Sequence, residues 1–233
     1  MVAKFLDISV TRRMMNFRSN DYSTMQYAMF VLMKEVRGKS PADLAEILVA
    51  NLAKENEVIG TCKDFYMHKS NRRQIHYILA RITDYVERMS GLPSHYIEYT
   101  TGEGNKKFEV EHIWANHYEE HKEEFDHAAD FDSYRNRFGG LLLLQKPFNA
   151  SYGDLPYKKK WEHYPTQNLL AASLNPVSYD RNPGFLPWIK KNNLPFQPIQ
   201  EFTKKDIDAR GKLYFHIANK IWDPAIITEE LWE

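Results

Sequence analysis

Apolar residues recur at helical spacing through much of the first hundred positions. Ile75, Ile78, Leu79, Ile82, Val86 and Met89 form one stripe over residues 71–90, and Gly91 and Pro93 stop it. Leu44, Ile47, Leu48 and Leu52 repeat the pattern after a start at Ser40-Pro41, where Asp43 sits near the positive end of the helix. A further helix is expected over residues 22–37, ending at Gly38. These stripes are read as core. The period changes at Phe108, where residues 108–113 alternate apolar and polar as in a half-buried strand. A polar, acidic stretch from Asn116 to Asp132, partly helical, separates it from Leu141-Leu142-Leu143-Leu144-Gln145. That short apolar run after Gly139-Gly140 predicts a second strand. Pro147 and Asn149-Ala150-Ser151 predict a helix soon after it. Beyond, Pro176, Pro183, Pro187, Pro195 and Pro198 punctuate the connections to one strong final helix. It opens at Thr203 with Asp206 in the capping position and carries Ile207, Tyr214, Ile217 and Ile221. The predicted class is mainly α with a small strand-strand-helix element, an α+β chain without internal repeats.

Composition narrows the setting. A chain of 233 residues can bury one generous core or two small ones. With 43% hydrophobic and 27% charged residues, disorder, collagen and coiled-coil rods are excluded. The lone Cys62 cannot form an internal disulfide, so a reducing compartment is expected and Cys62 is read as a small buried side chain. No signal-peptide run opens the chain, and Leu141–Leu144 is far too short to span a bilayer. A cytoplasmic protein without a membrane partner is the expectation. The 31 basic and 31 acidic residues cancel, but unevenly along the chain. Residues 109–132 carry a net charge of −8 and residues 133–163 a net +4. A phosphate backbone meets local charge, not the sum, so neutrality does not exclude nucleic acid.

Two constellations carry chemistry. His117 and His121, four apart with Glu120 and Glu124 nearby, would make a zinc face on a helix; a solvated polar face is the alternative. The second is Glu111-His112 at the end of the first strand, with Asn149 where a helix starts after the second. Carboxylate and amide oxygens suit Mg²⁺ or Mn²⁺, a neutral imidazole beside such an ion can take a proton from water, and Lys158-Lys159-Lys160 can hold a backbone. Together these describe phosphodiester hydrolysis, against the alternative of a structural Glu-His pair. Successive strand residues point to opposite faces, so Glu111 and His112 share one site only if the strand ends or twists there.

The runs Val110-Glu111-His112-Ile113-Trp114, Arg135-Asn136-Arg137-Phe138-Gly139-Gly140-Leu141-Leu142-Leu143-Leu144, Phe148-Asn149 and Pro156-Tyr157-Lys158-Lys159-Lys160 resemble an HNH nuclease. More narrowly, the chain is similar to the C-terminal nuclease domain of GmrSD-type, modification-dependent restriction enzymes. That family has Glu-His-Ile, then Gly-Asn-Leu-x-Leu-Leu, an Asn, an aromatic-x-x-Lys and a closing helix that ends in Ile-Trp. Here the helix offers Arg210, Leu213 and Ile221-Trp222. The similarity spans about residues 70–223. It implies a ββα-metal finger over about residues 108–165, inside a nuclease domain of residues 101–233 preceded by a helical part of residues 1–100. His112 would be the general base and Glu111 and Asn149 the ligands of Mg²⁺ or Mn²⁺. Asn136, Arg135, Lys160 and Lys158 are candidates for support or DNA contact. Gly140 stands where the family has Asn, so the Asn that braces the base is missing, with Asn136 as a candidate substitute. The implied activity is a metal-dependent DNA endonuclease restricting foreign or modified phage DNA. The implied partners are double-stranded DNA and a ParB-like nucleotide-hydrolysing domain, for which the length leaves no room. The alternative is a weakened module of the same fold that binds DNA or a partner without cutting.

Overall fold

The computed structural model describes residues 1–229; residues 230–233, the end of the expected nuclease domain, lie outside the described residues. The chain forms two compact units, Met1–Phe65 with the segment from Ala218 onward, and Tyr66–Ile217.

In the first unit, α1 (Val2–Met15), α2 (Tyr22–Val36) and α3 (Pro41–Ala53) are joined by short turns. The starts follow local chemistry. Asp21 accepts the Thr24 N–H at 2.9 Å, and Ser40 accepts the Asp43 N–H at 3.2 Å with Pro41 in the first turn. Phe5, Ile8, Met15, Leu48 and Leu52 make the core. Arg12 is buried among them, and Nη1 donates to Leu52 O at 2.9 Å and to Glu55 at 3.0 Å. A polar group is tolerated at such depth only when its donors are used.

The second unit is built on α4 (Arg72–Met89). The predicted stripe is its buried face: Ile75, Ile78, Leu79, Ile82 and Val86 are at most 1% exposed, whereas Met89, in the last turn, is exposed. Gly91 then takes φ 83°, a left-handed conformation that ends the helix at little steric cost. Asp84 Oδ1 accepts the His95 and Tyr96 N–H groups at 2.9 and 3.0 Å and so starts α5 (Tyr96–Thr101). Strand β1 (Phe108–His112) follows, then α6 (Ala128–Arg135) and strand β2 (Leu141–Gln145). The strands pair antiparallel, with Phe108 opposite Gln145 and His112 opposite Leu141. Helix α7 (Lys146–Tyr152) begins at the residue after β2 and packs on both strands, and α8 (Tyr157–Trp161) comes next. Short helices α9 (Leu169–Ala172), α10 (Val177–Arg181) and α11 (Phe185–Lys191) lead to the closing α12 (Lys204–Ile221) and to α13 (Ile226–Glu229). A strand-strand-helix succession inside a mainly helical chain is therefore present.

Helices α4 and α5 pack on β1 and belong with the strands, because the α4 stripe needs the apolar face of the sheet to cover it. Gly139 explains one close approach. A side chain there would collide with the α12 backbone at Ile207 and Gly211, which the bare glycine allows to press against the residues entering β2.

Buried Glu87 on α4 accepts from Tyr99 OH at 2.7 Å and from Leu169 N–H at 3.2 Å, and lies 3.0 Å from His95 Nδ1. That last bond holds the His95 pKa above its ordinary value of 6.5. The ion pair contributes fully below about pH 6.5 and is lost as pH rises through the raised folded-state value. Denaturant midpoints of wild type and His95→Gln should therefore differ more at about pH 5.5 than at about pH 8.5. Equal differences at both would remove the pair from the stability account.

Candidate active site

Three of the predicted residues meet at the join of β1, α7 and α8. Glu111 is buried, and its Oε1 accepts from Lys160 Nζ at 2.5 Å. Lys160, 0% exposed, also donates to the His112 carbonyl at 2.9 Å. Burial pushes Glu111 up and Lys160 down from their ordinary values, and each opposes the shift of the other. The third is Asn149, in the first turn of α7. Its Nδ2 lies 3.3 Å from Glu109 Oε2, which turns Oδ1 the other way. A Cβ built on Gly153 would sit 3.1 Å from Asn149 Oδ1 and 3.5 Å from Glu111 Oε2. Both oxygens border the space beside Gly153, where the atom nearest to such a Cβ is the Asn149 carbonyl oxygen at 2.6 Å. Carboxylate and amide oxygens are donors of the kind that a small divalent cation takes, although Lys160 holds the other oxygen of Glu111.

His112 belongs to a second cluster. Its Nε2 lies 2.8 Å from Asn136 Oδ1, and Asn136 Nδ2 donates to Asp132 O at 2.8 Å. The second bond decides the first. With the amide nitrogen committed to a carbonyl, Oδ1 can only accept, so Nε2 carries the proton and Nδ1 keeps its lone pair. Burial, and after it the charge of Arg135, depresses His112 to about 3; Asn136 acts the other way, and Lys160 and Arg72 add to the depression. The imidazole is neutral at physiological pH.

Arg135, part-buried, donates from Nε to Trp114 O at 2.9 Å and acts electrostatically on both His112 and Glu111. Trp114 in turn is anchored by Nε1 donating to Phe202 O at 2.8 Å and by Phe131 at 5.9 Å. This fixes the chain just after the strand. Gly140 has little room for a larger residue, since a Cβ there would stand 3.1 Å from Arg135 O. The amide that reaches the imidazole comes instead from Asn136, at the end of α6.

Other predicted groups lie differently. Lys158 is exposed on α8, whereas Lys160 faces inward, one helical step from solvent. His117 and His121 are not on an α-helix: His117 lies 3.3 Å from Glu120 and from Asp154, and His121 lies 3.1 Å from Glu124 and packs 4.2 Å from the Trp114 ring. Among the described residues no group of three or more His, Cys, Asp or Glu side chains converges as a metal site. His121 is thus a packed residue, not part of a solvated face. Sequence reasoning missed Glu109, Gly153 and Arg72, none of which stands in a motif.

The model of the family described as GmrSD restriction endonucleases, C-terminal domain, matches residues 53–230. The chain belongs to that family. The match is wider than the stretch of residues 70–223 that carries the resemblance, and it contains both strands, α7 and every site residue named above. Residues 1–52, with α1 and α2, precede it. Membership in the GmrSD family makes nuclease activity on DNA, in restriction, the function class of the chain. No curated protein and no solved structure matches it significantly. No helix among the described residues is long and apolar enough to cross a membrane.

Proposed function

We propose that the chain is a divalent-metal-dependent DNA endonuclease of the HNH type. In this reading its ββα-metal finger runs from β1 through β2 to α7, in a cytoplasmic system that restricts foreign or modified phage DNA. The observation that carries this reading is the bond from His112 to an Asn136 amide whose orientation is set by Asp132 O, because it leaves Nδ1 as an acceptor. In the reaction, Nδ1 takes a proton from the attacking water as its oxygen bonds to phosphorus and the bond to the leaving ribose oxygen breaks. Asn136 keeps the proton on Nε2. The negative charge of the phosphodiester, brought beside a depressed imidazole, raises its basicity for that step. Glu111 and Asn149 would hold Mg²⁺ or Mn²⁺, which supplies charge to the phosphate and the leaving oxygen. Lys160 fixes the Glu111 carboxylate and the carbonyl of the base in one bonded unit. A ParB-like nucleotide-hydrolysing subunit or domain is the proposed partner that gates cleavage.

Two observations favour a second reading. Lys160 already neutralises Glu111, and Gly140 replaces the family Asn, as in a module that binds DNA or a partner and no longer cuts. Supercoiled plasmid separates the two. The first reading expects nicking or linearisation with Mg²⁺ or Mn²⁺, none with chelator, and a loss of about tenfold or more in Asn149→Ala. Metal-independent binding with no cleavage would select the second.

A further inference from the structure

We propose that the DNA backbone reaches His112 along a basic trough on the α4 side of β1, walled by Lys69, Arg72, Arg73 and Lys107, rather than over Lys158 and Lys159. The inference rests on His112 marking the reacting end.

Two concavities adjoin here, of about 450 and 750 Å³, and both count Lys69 and Arg72 among their walls. The first ends on Asn136, the residue bonded to His112. The second continues past Arg73 and Tyr77 and along Phe108–Val110 to Lys107. A strand laid through both would have one end at Asn136, one hydrogen bond from the imidazole, and would pass four cations against two carboxylates, Asp132 and Glu109. All four are exposed. Lys69 and Arg72 make no ion pair with any described residue, so a phosphate would displace no protein partner from them. Arg73 lies over the Tyr77 ring at 5.7 Å, a flat cationic ledge, and Lys107 is held loosely, 3.6 Å from Glu109. Arg72 is also near enough for its charge to act on His112. The alternative track is poorer. Of the three successive lysines on α8, Lys160 is wholly buried on Glu111, which leaves two exposed cations.

The test uses the full chain carrying His112→Ala, so that binding is read without cleavage, on a duplex across a salt series. Adding Lys69→Ala, Arg72→Ala, Arg73→Ala and Lys107→Ala should weaken binding by at least about tenfold. The slope of log K against log salt should fall by about 0.9 for each phosphate that the protein no longer neutralises. Lys158→Ala with Lys159→Ala should change affinity less than about twofold. The four positions are exposed, and matching thermal melts would confirm that folding is untouched. An unchanged slope in the quadruple variant, or the larger loss in the α8 pair, overturns the trough. Full cleavage by His112→Ala alone would instead sink the catalytic reading, and the binding comparison would still decide the trough.

Discussion

His112→Ala is expected to lower the rate of metal-dependent plasmid cleavage by about two to four orders of magnitude, the usual loss when a positioned general base is removed. The chain should stay folded. His112 is only part-buried at the end of β1, and its ring makes one side-chain bond, to Asn136, whose loss costs about 1–3 kcal/mol if Oδ1 is left without a donor. Far-ultraviolet circular dichroism and a melt would establish that. Asn136→Ala is the informative companion. It leaves the imidazole in place and removes the group that holds the proton on Nε2, so a loss of about ten- to hundredfold is expected, by analogy with other residues that orient a histidine. Full activity in Asn136→Ala would mean that the tautomer is set by something else. Full activity in His112→Ala, after removal of contaminating nucleases, would assign the base elsewhere.

The other large effect is on folding. Lys160→Met should destabilise the protein by about 3–5 kcal/mol, because it abandons the Glu111 carboxylate in a buried place with its charge unbalanced. The ammonium holds Glu111 Oε1 at 2.5 Å and the His112 carbonyl at 2.9 Å, so two acceptors lose their donor together. Urea denaturation would read this as a fall in midpoint at unchanged slope. Adding Glu111→Gln should restore part of the loss, since a neutral amide is cheaper to bury than an unpaired charge. A single variant within about 0.5 kcal/mol of wild type would show that the pair does not hold the join of β1 and α8.

Much of the local architecture is legible from periodicity. The α4 stripe, the Ser40 start of α3, the position of β1 and the helix after β2 each rest on residues close in sequence, although Val110 and Glu111 are both buried where alternation had one face exposed. Helix α1 escaped because its buried face mixes Phe5, Ile8 and Met15 with Ser9, Thr11 and Arg12, and Ser9 and Arg12 need Glu55 and Leu52 O, forty or more residues away. Three successive lysines on α8 read as one basic patch, yet a helix turns each residue to a different side, and Lys160 meets a carboxylate 49 positions earlier in the chain. The two halves of the candidate site differ in the same way. Glu111, His112 and Asn149 stand in recognisable motifs, whereas Arg72 reaches their neighbourhood only because α4 packs on the sheet. Asn136 stands between these cases. An amide near the strands can be nominated from sequence, but its pairing with the imidazole needs the end of α6 to be in place.

The absence of any spacer between β2 and α7 has a consequence for how errors would propagate. Side chains alternate across a strand, so a slip of one residue in the pairing of β2 would exchange the two sides on which its four buried leucines pack. With α7 starting at the very next residue, the same slip would rotate Asn149 by about 100° around the helix axis, away from Glu111. Strand alignment and the placing of Asn149 are thus a single variable in this chain. A misaligned hairpin would displace Asn149 at the same moment as it repacked the four leucines.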